Sequence, residues 1–288
     1  MTERGEGRSP DAPASGDLPL SPDDVRDDFN APSTVLHYAR AAHQIGLWAS
    51  ERLLIERWLP DRGAPLIEIG CGAGRVVIGL WELGYRNLTA VDFADALVAE
   101  ARSLADLRAI GGIRFLEADA LDLGRGGLSL AASTAAGNAL RDKPGDPPEG
   151  FAGALFLFNG LMQIPGRERR RRALREIHRV CRPGAVFIFT THDRDDDPRD
   201  RLHWEAEAAR WAAGDRDSRL HEFGDRRFEN EHGGLTFMHL PSREEVLDDL
   251  AAAGWEPQCD AMRRSVAPEG QAVREFSDEC RFWVARRA

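Results

Sequence analysis

Leu66-Ile67-Glu68-Ile69-Gly70-Cys71-Gly72-Ala73-Gly74-Arg75 is the stretch from which the rest of the chain can be read. The apolar run Pro65 to Ile69 has the length of a buried strand. Three glycines at alternate positions follow, and Val76 to Leu83 has the pattern of a helix that Gly84 closes. Glycines at a strand-to-helix junction let the backbone turn sharply and let a ligand lie against bare main chain. The helix beyond offers unpaired N–H groups and a partial positive charge. The combination predicts a nucleotide-type ligand at the carboxyl end of a strand, where open α/β sheets bind ligands.

Spacing narrows that ligand. A dinucleotide fingerprint has glycines at its first, third and sixth positions. Here the sixth position is Arg75 and the third glycine comes one residue early, which disfavours a nicotinamide oxidoreductase. The Gly-Lys-Ser/Thr ending of a phosphate loop is absent. Glu68, two places before the first glycine, speaks against a pyrophosphate and suits a ligand carrying an ammonium or sulfonium.

Downstream the chain alternates strands and helices. Asn87 to Val91 reads as a second strand ending in Asp92-Phe93, with Asp92 lying 22 positions after Gly70. That is the distance at which a second strand carries an acid to a ribose, and a carboxylate accepts two hydroxyl bonds at once. Ala94 to Leu107 is predicted helical, Ile113 to Glu117 a third strand, and Phe151 to Phe158 a fourth. Gly166 to Arg182 is a helix crowded with Arg167, Arg169, Arg170, Arg171, Arg172 and Arg175. It reads either as an RNA phosphate surface or, with its interleaved glutamates and one apolar stripe, as a solvated outer face. Ala185 to Thr190 is the fifth strand. Ser242 opens a helix running to Ala253, and Trp255 to Ala261 and Glu279 to Ala285 are the last two strands. The expected fold is therefore α/β, a doubly wound, seven-stranded, mostly parallel sheet with helices on both faces.

The remaining segments are less regular. Residues 1–32 are rich in Pro, Gly, Ser and Asp and predict a disordered tail, or else a lid that orders over bound substrate, leaving one domain over 33–288. Thr34 to Leu59 reads as helical. Residues 124–150 predict a flexible insertion. Residues 193–241, polar with spaced aromatics, predict a cap segment inserted between strands five and six. Net charge is −10, which disfavours a nucleic-acid partner. No apolar run is long enough for a membrane span, and no signal peptide is visible. Four scattered cysteines fit a cytoplasmic location with neither a disulfide framework nor a zinc site. His203, His221 and His239 lack metal-like spacing, so no metal is expected.

The glycine stretch resembles motif I of the class I S-adenosylmethionine-dependent methyltransferases, in the form Glu-x-Gly-x-Gly-x-Gly. Ile177-His178-Arg179-Val180-Cys181-Arg182-Pro183-Gly184 resembles the helix-to-strand turn of the same family, and the resemblance extends over about residues 34 to 287. It implies S-adenosylmethionine as cofactor, held by Glu68, Gly70, Cys71, Gly72, Gly74, Asp92 and Phe93. It further implies that Asp119 accepts from the adenine amino group beside the Ala120 backbone, with Asp122 as competitor if the register slips. A helix carrying Tyr38, His43 and Trp48 would cover the cofactor; Tyr38 is the site candidate, because its hydroxyl wants a polar partner. The resemblance also places Asn159 where the transferred methyl group lies. Gly160-Leu161 stands where base and glutamine methylases carry prolines, which counts against such acceptors. His192, beyond the fifth strand, is the candidate catalytic base or substrate ligand, or else only orders its loop. A small-molecule nitrogen, oxygen or sulfur acceptor is expected, on a monomer or homodimer. An RNA or protein acceptor is the runner-up, and a binding protein without catalysis would carry the same cofactor residues.

Overall fold

In the computed structural model, residues 18–124, 147, 149–229 and 235–288 are described. Strand β1 (Leu66–Ile69) is buried at all four positions, as an interior parallel strand must be when both faces are covered. It pairs in parallel with β2 (Leu88–Asp92) on one side and β4 (Phe151–Phe156) on the other. β3 (Ile113–Glu117) extends the sheet beyond β2, and β5 (Cys181–Thr191) lies beyond β4. The sheet order is β3-β2-β1-β4-β5-β9-β8, closed by β8 (Trp255–Met262) and the single antiparallel strand β9 (Arg281–Arg287). The seven-stranded α/β architecture is the one expected.

Alternation along β1 assigns the two faces. Leu66 joins a core with Val77, Leu88, Ile188 and Val284. Here pack α2 (Pro32–Gln44), α3 (Ala49–Trp58), α4 (Arg75–Glu82) and α5 (Asp95–Leu107). Ile67 and Ile69 join the opposite core with Phe187, Phe189, Leu174 and Leu250, under α6 (Arg167–Val180) and α8 (Arg243–Ala252). Successive strand residues point to opposite faces, so one short sequence feeds both cores.

Two stretches depart from expectation. The predicted tail is not irregular throughout: α1 (Pro22–Asn30) is a helix opened by a capping box. Ser21 Oγ accepts from Asp24 N–H at 3.2 Å while Asp24 accepts from Ser21 N–H at 2.7 Å, and Val25 and Phe29 are buried. Residues 1–17 lie outside the described residues, as does nearly all of the predicted 124–150 insertion. The single helix expected over Thr34–Leu59 is two helices, α2 and α3, broken at Gly46, whose φ of 63° no helix accommodates. Within the cap segment, α7 (Arg201–Ala212) has no buried residue, and β6 (Asp225–Glu229) pairs antiparallel with β7 (Leu235–His239) as a separate two-stranded sheet. Two short helices, α9 (Arg263–Val266) and α10 (Gln271–Phe276), fill the β8–β9 connection.

Candidate active site

The carboxyl ends of β1, β2 and β4 and the loop after β3 surround one cavity, roofed by α1, α2 and Phe276. Tyr38, Glu68, Gly70, Cys71, Gly72, Asp92, Phe93 and Ala120 all line it. Gly72 has φ of 51°, and a Cβ placed there would meet nothing nearer than Tyr38 at 3.8 Å. It would project into the cavity, so bare main chain forms this part of the wall. Gly74 has a different task. It caps α4 with φ of 85°, and a Cβ would lie 3.1 Å from Ala101, so its smallness seats α4 on α5.

Two acids form the polar floor. Glu68 is buried, and Oε2 has no hydrogen-bond partner. Burial pushes its carboxyl well above the usual range, against the pull of the Arg75 charge. A buried carboxyl with a bare oxygen fits a positively charged group. Asp92 accepts from Gly72 N–H at 2.8 Å and from Ala94 N–H at 2.9 Å. Burial raises its pKa to about 6, although these N–H bonds pull it down. Two donors leave lone pairs on both oxygens for a diol.

Asp119 is not in the wall. Its Oδ1 accepts from Leu121 N–H at 2.8 Å and its Oδ2 from Arg26 at 3.2 Å. Arg26 also lies over the Phe93 ring, and Phe29 packs 5.6 Å from both Tyr38 and Phe93. The first helix therefore closes this side of the cavity; a covering lid was only the alternative for this stretch, and the helix itself was not expected. The signal was present in Ser21-Pro22-Asp23-Asp24, a helix-start pattern followed by apolar residues at 25 and 29.

A second cavity, of about 610 Å³, abuts the first. It lies within the roughly 300–1,000 Å³ of small-molecule sites. Asn159 and His192 both line it. Phe158 and Asn159 have φ of 55° and 60°, two consecutive non-glycine residues in the left-handed region. Such a conformation persists only where the surrounding packing holds it. The turn stacks Phe158 on Phe276 at 5.3 Å and leaves Asn159 Nδ2 3.1 Å from His192 Nε2. His192 Nδ1 lies 3.0 Å from the Glu279 carbonyl. A carbonyl only accepts, so Nδ1 carries the proton and Nε2 is an acceptor. Burial lowers the His192 pKa, which keeps this neutral form. Nε2 then requires the Asn159 NH2 group opposite it. Asn159 Oδ1, buried and without a partner, is left to the cavity.

Around this centre, ion pairs fix the scaffold. Arg75, seen in the sequence only as a mismatch to a glycine motif, makes a two-pronged bridge to Glu51 at 2.6 and 2.7 Å. Glu51 also accepts from Trp48 N–H, so the pair pins the start of α3 to the glycine loop. On α6, Arg170 is buried against Glu222 and Glu245, and Arg167 and Arg171 share Asp249. Only Arg172 and Arg175 of the six arginines are exposed. Glu222, His239 and Glu245 bring possible ligand atoms within 4.8 Å of one another, a convergence that linear spacing does not reveal. The guanidiniums of Arg170 and Arg194 already hold these carboxylates, in the position a cation would take.

A family model described as a methyltransferase domain matches residues 38–259. No curated protein matches by sequence. Among solved structures, a methyltransferase from Methanosarcina mazei is 17% identical with a TM-score of 0.58, covering 84% of this chain and 99% of its own. The 1,6-didemethyltoxoflavin-N1-methyltransferase of Burkholderia thailandensis is 19% identical with a TM-score of 0.55, covering 96% and 93%. The [4+2]-cyclase SpnF shares the fold at 18% identity and a TM-score of 0.58, covering 94% and 97%. At such identities the structural likeness speaks for fold and the family match for membership: the chain belongs to the class I S-adenosylmethionine-dependent methyltransferases.

Proposed function

We propose that the chain methylates a nitrogen, oxygen or sulfur of a small molecule held in the larger cavity. The observation that carries this reading is that the two cavities meet: Phe29, Tyr38, Phe158, Gln163 and Phe276 line both. When bound, S-adenosylmethionine supplies a methyl group already activated by a positively charged sulfur.

The cofactor-side residues fit that group. Glu68 with its bare oxygen would hold an ammonium, Asp92 the ribose hydroxyls, and the Gly70-Cys71-Gly72 main chain would lie alongside. Phe93 and Ala120 would flank the ring system. On the acceptor side, Asn159 Oδ1 would take a hydrogen bond from the nucleophile's own N–H or O–H and so orient its lone pair. His192, committed at both nitrogens, is a positioning residue that fixes which end of the Asn159 amide faces the cavity. Alignment and exclusion of water are then the protein's main contributions. A small acceptor is further supported by an α6 on which Arg167, Arg170 and Arg171 engage the protein's own carboxylates. The Burkholderia neighbour was crystallised with a small acceptor bound.

The test is to incubate the protein with metabolite extracts and cofactor carrying a labelled methyl, reading products by mass spectrometry. A labelled small molecule is expected. Labelling of RNA or protein alone would overturn the proposal.

A further inference from the structure

The larger cavity carries one sign of charge. Among the described residues lining it, Asp28, Glu275 and Asp278 are acidic and none is lysine or arginine. Glu275 and Asp278 are exposed, at the mouth, while Asp28 is half-buried on α1. The Asp28 carboxylate has no hydrogen bond or ion pair among the described residues, and burial raises its pKa. The other titratable groups facing this space are His37, Tyr38 and His192.

Its remaining walls are aromatic. His37 stacks on Phe276 at 4.9 Å and Phe276 on Phe158 at 5.3 Å, with Phe228 exposed nearby. Ring faces attract both flat π-systems and cations. Independently of the acids, Asn159 is 4% exposed with Oδ1 unpartnered. An amide oxygen can only accept, so the missing partner must be a donor.

We propose that the methyl acceptor is a cationic aromatic amine: a planar ring, an N–H or O–H donor for Asn159 Oδ1, and a positive charge for Asp28 and the acids at the mouth. This rests on the proposed function and names its substrate class. An anionic acceptor would meet three carboxylates with no counter-charge.

Tryptamine, 3-ethylindole and indole-3-acetate present one ring with a positive, zero and negative charge. Calorimetry on the full chain, with and without S-adenosylhomocysteine, should rank them in that order, with at least about tenfold between the extremes. Asp28→Asn and, separately, Asp278→Asn should each narrow that ratio; two variants guard against one that fails to fold. Equal affinities, no binding of any of the three at millimolar concentration, or a ratio unchanged in both folded variants would overturn the inference. S-adenosylhomocysteine binding is read in the same titrations. Its loss with the charge preference intact would count against the proposed function and leave only the cavity's preference for a cationic aromatic ligand standing.

Discussion

At Asp92, burial and backbone N–H groups pull in opposite directions on one proton, and burial wins. A carboxyl raised to about 6 holds a proton in the folded chain from pH 6 down to about 4, where the unfolded chain has released it. Its contribution to stability therefore falls as pH rises through that window. Cofactor affinity should move the other way, because only the ionised form keeps both oxygens as acceptors. Calorimetry with S-adenosylhomocysteine should show affinity weakening as pH drops through about 6. Asp92→Asn should bind roughly tenfold more weakly or worse at neutral pH, with that pH dependence gone. His192 makes a complementary case. If it positions Asn159, His192→Ala should lower kcat about tenfold, short of the roughly 10²- to 10⁴-fold cost of losing a general base. The kcat-against-pH profile of the native protein should show no histidine inflection; one that vanishes in the variant would restore His192 as the base. Glu51 is a matter of scaffold. Removing it strands a buried guanidinium, so Glu51→Ala should cost about 3–5 kcal/mol in denaturant unfolding. A cost under about 1 kcal/mol would show that Arg75 finds another partner.

Among elements, those bearing strict periodicity were legible and those defined by tertiary contact were not. β1, β2, β3 and the capped helix after Ser242 fall within a residue or two of expectation, because an apolar run with glycine punctuation admits few other structures. That Glu68, Gly72 and Asp92 share one cavity wall was legible for the same reason: their spacing is fixed by one strand-helix-strand unit. What escaped was α1, hidden in a stretch whose composition suggests disorder. So did the latch from Arg75 to Glu51 and the convergence on His239, where partners come from elements far apart in sequence. Gly74 was legible as a glycine, but its close packing against Ala101 was not, since that partner lies on the next helix. If the capping box holds α1, Ser21→Ala should weaken that helix by about 1 kcal/mol. Hydrogen exchange should then quicken in residues 22–30 while the central strands keep their protection. Unchanged exchange there would mean that Val25 and Phe29 hold the helix without help from its cap.

Over the whole molecule, a buried histidine joins the Arg170–Glu222 pair in fastening the cap segment to the sheet. His239 on β7 meets Asp225 at 2.8 Å and Glu245 at 2.7 Å, and Glu245 belongs to α8. Burial disfavours the charged imidazole and Arg170 repels it, yet the two carboxylate hydrogen bonds prevail and raise its pKa. Its stabilising contribution is complete below the ordinary histidine range and is lost as pH rises through the raised value. Thermal melts should therefore lose stability on the alkaline side, and His239→Gln should flatten that decline. The cap segment also grips the start of α1: Leu20 N–H donates to the Arg219 carbonyl at 2.9 Å, and His221 Nε2 lies 2.6 Å from the Leu20 carbonyl. Between that tether and Asn30, the helix contributes Phe29 to both cavities. A wall common to two chambers cannot swing away from one without unsealing the other. If α1 is the element that moves for exchange, the proposed acceptor should leave before the spent nucleoside; product-inhibition kinetics should then show ordered release, and a random pattern would show that α1 stays in place.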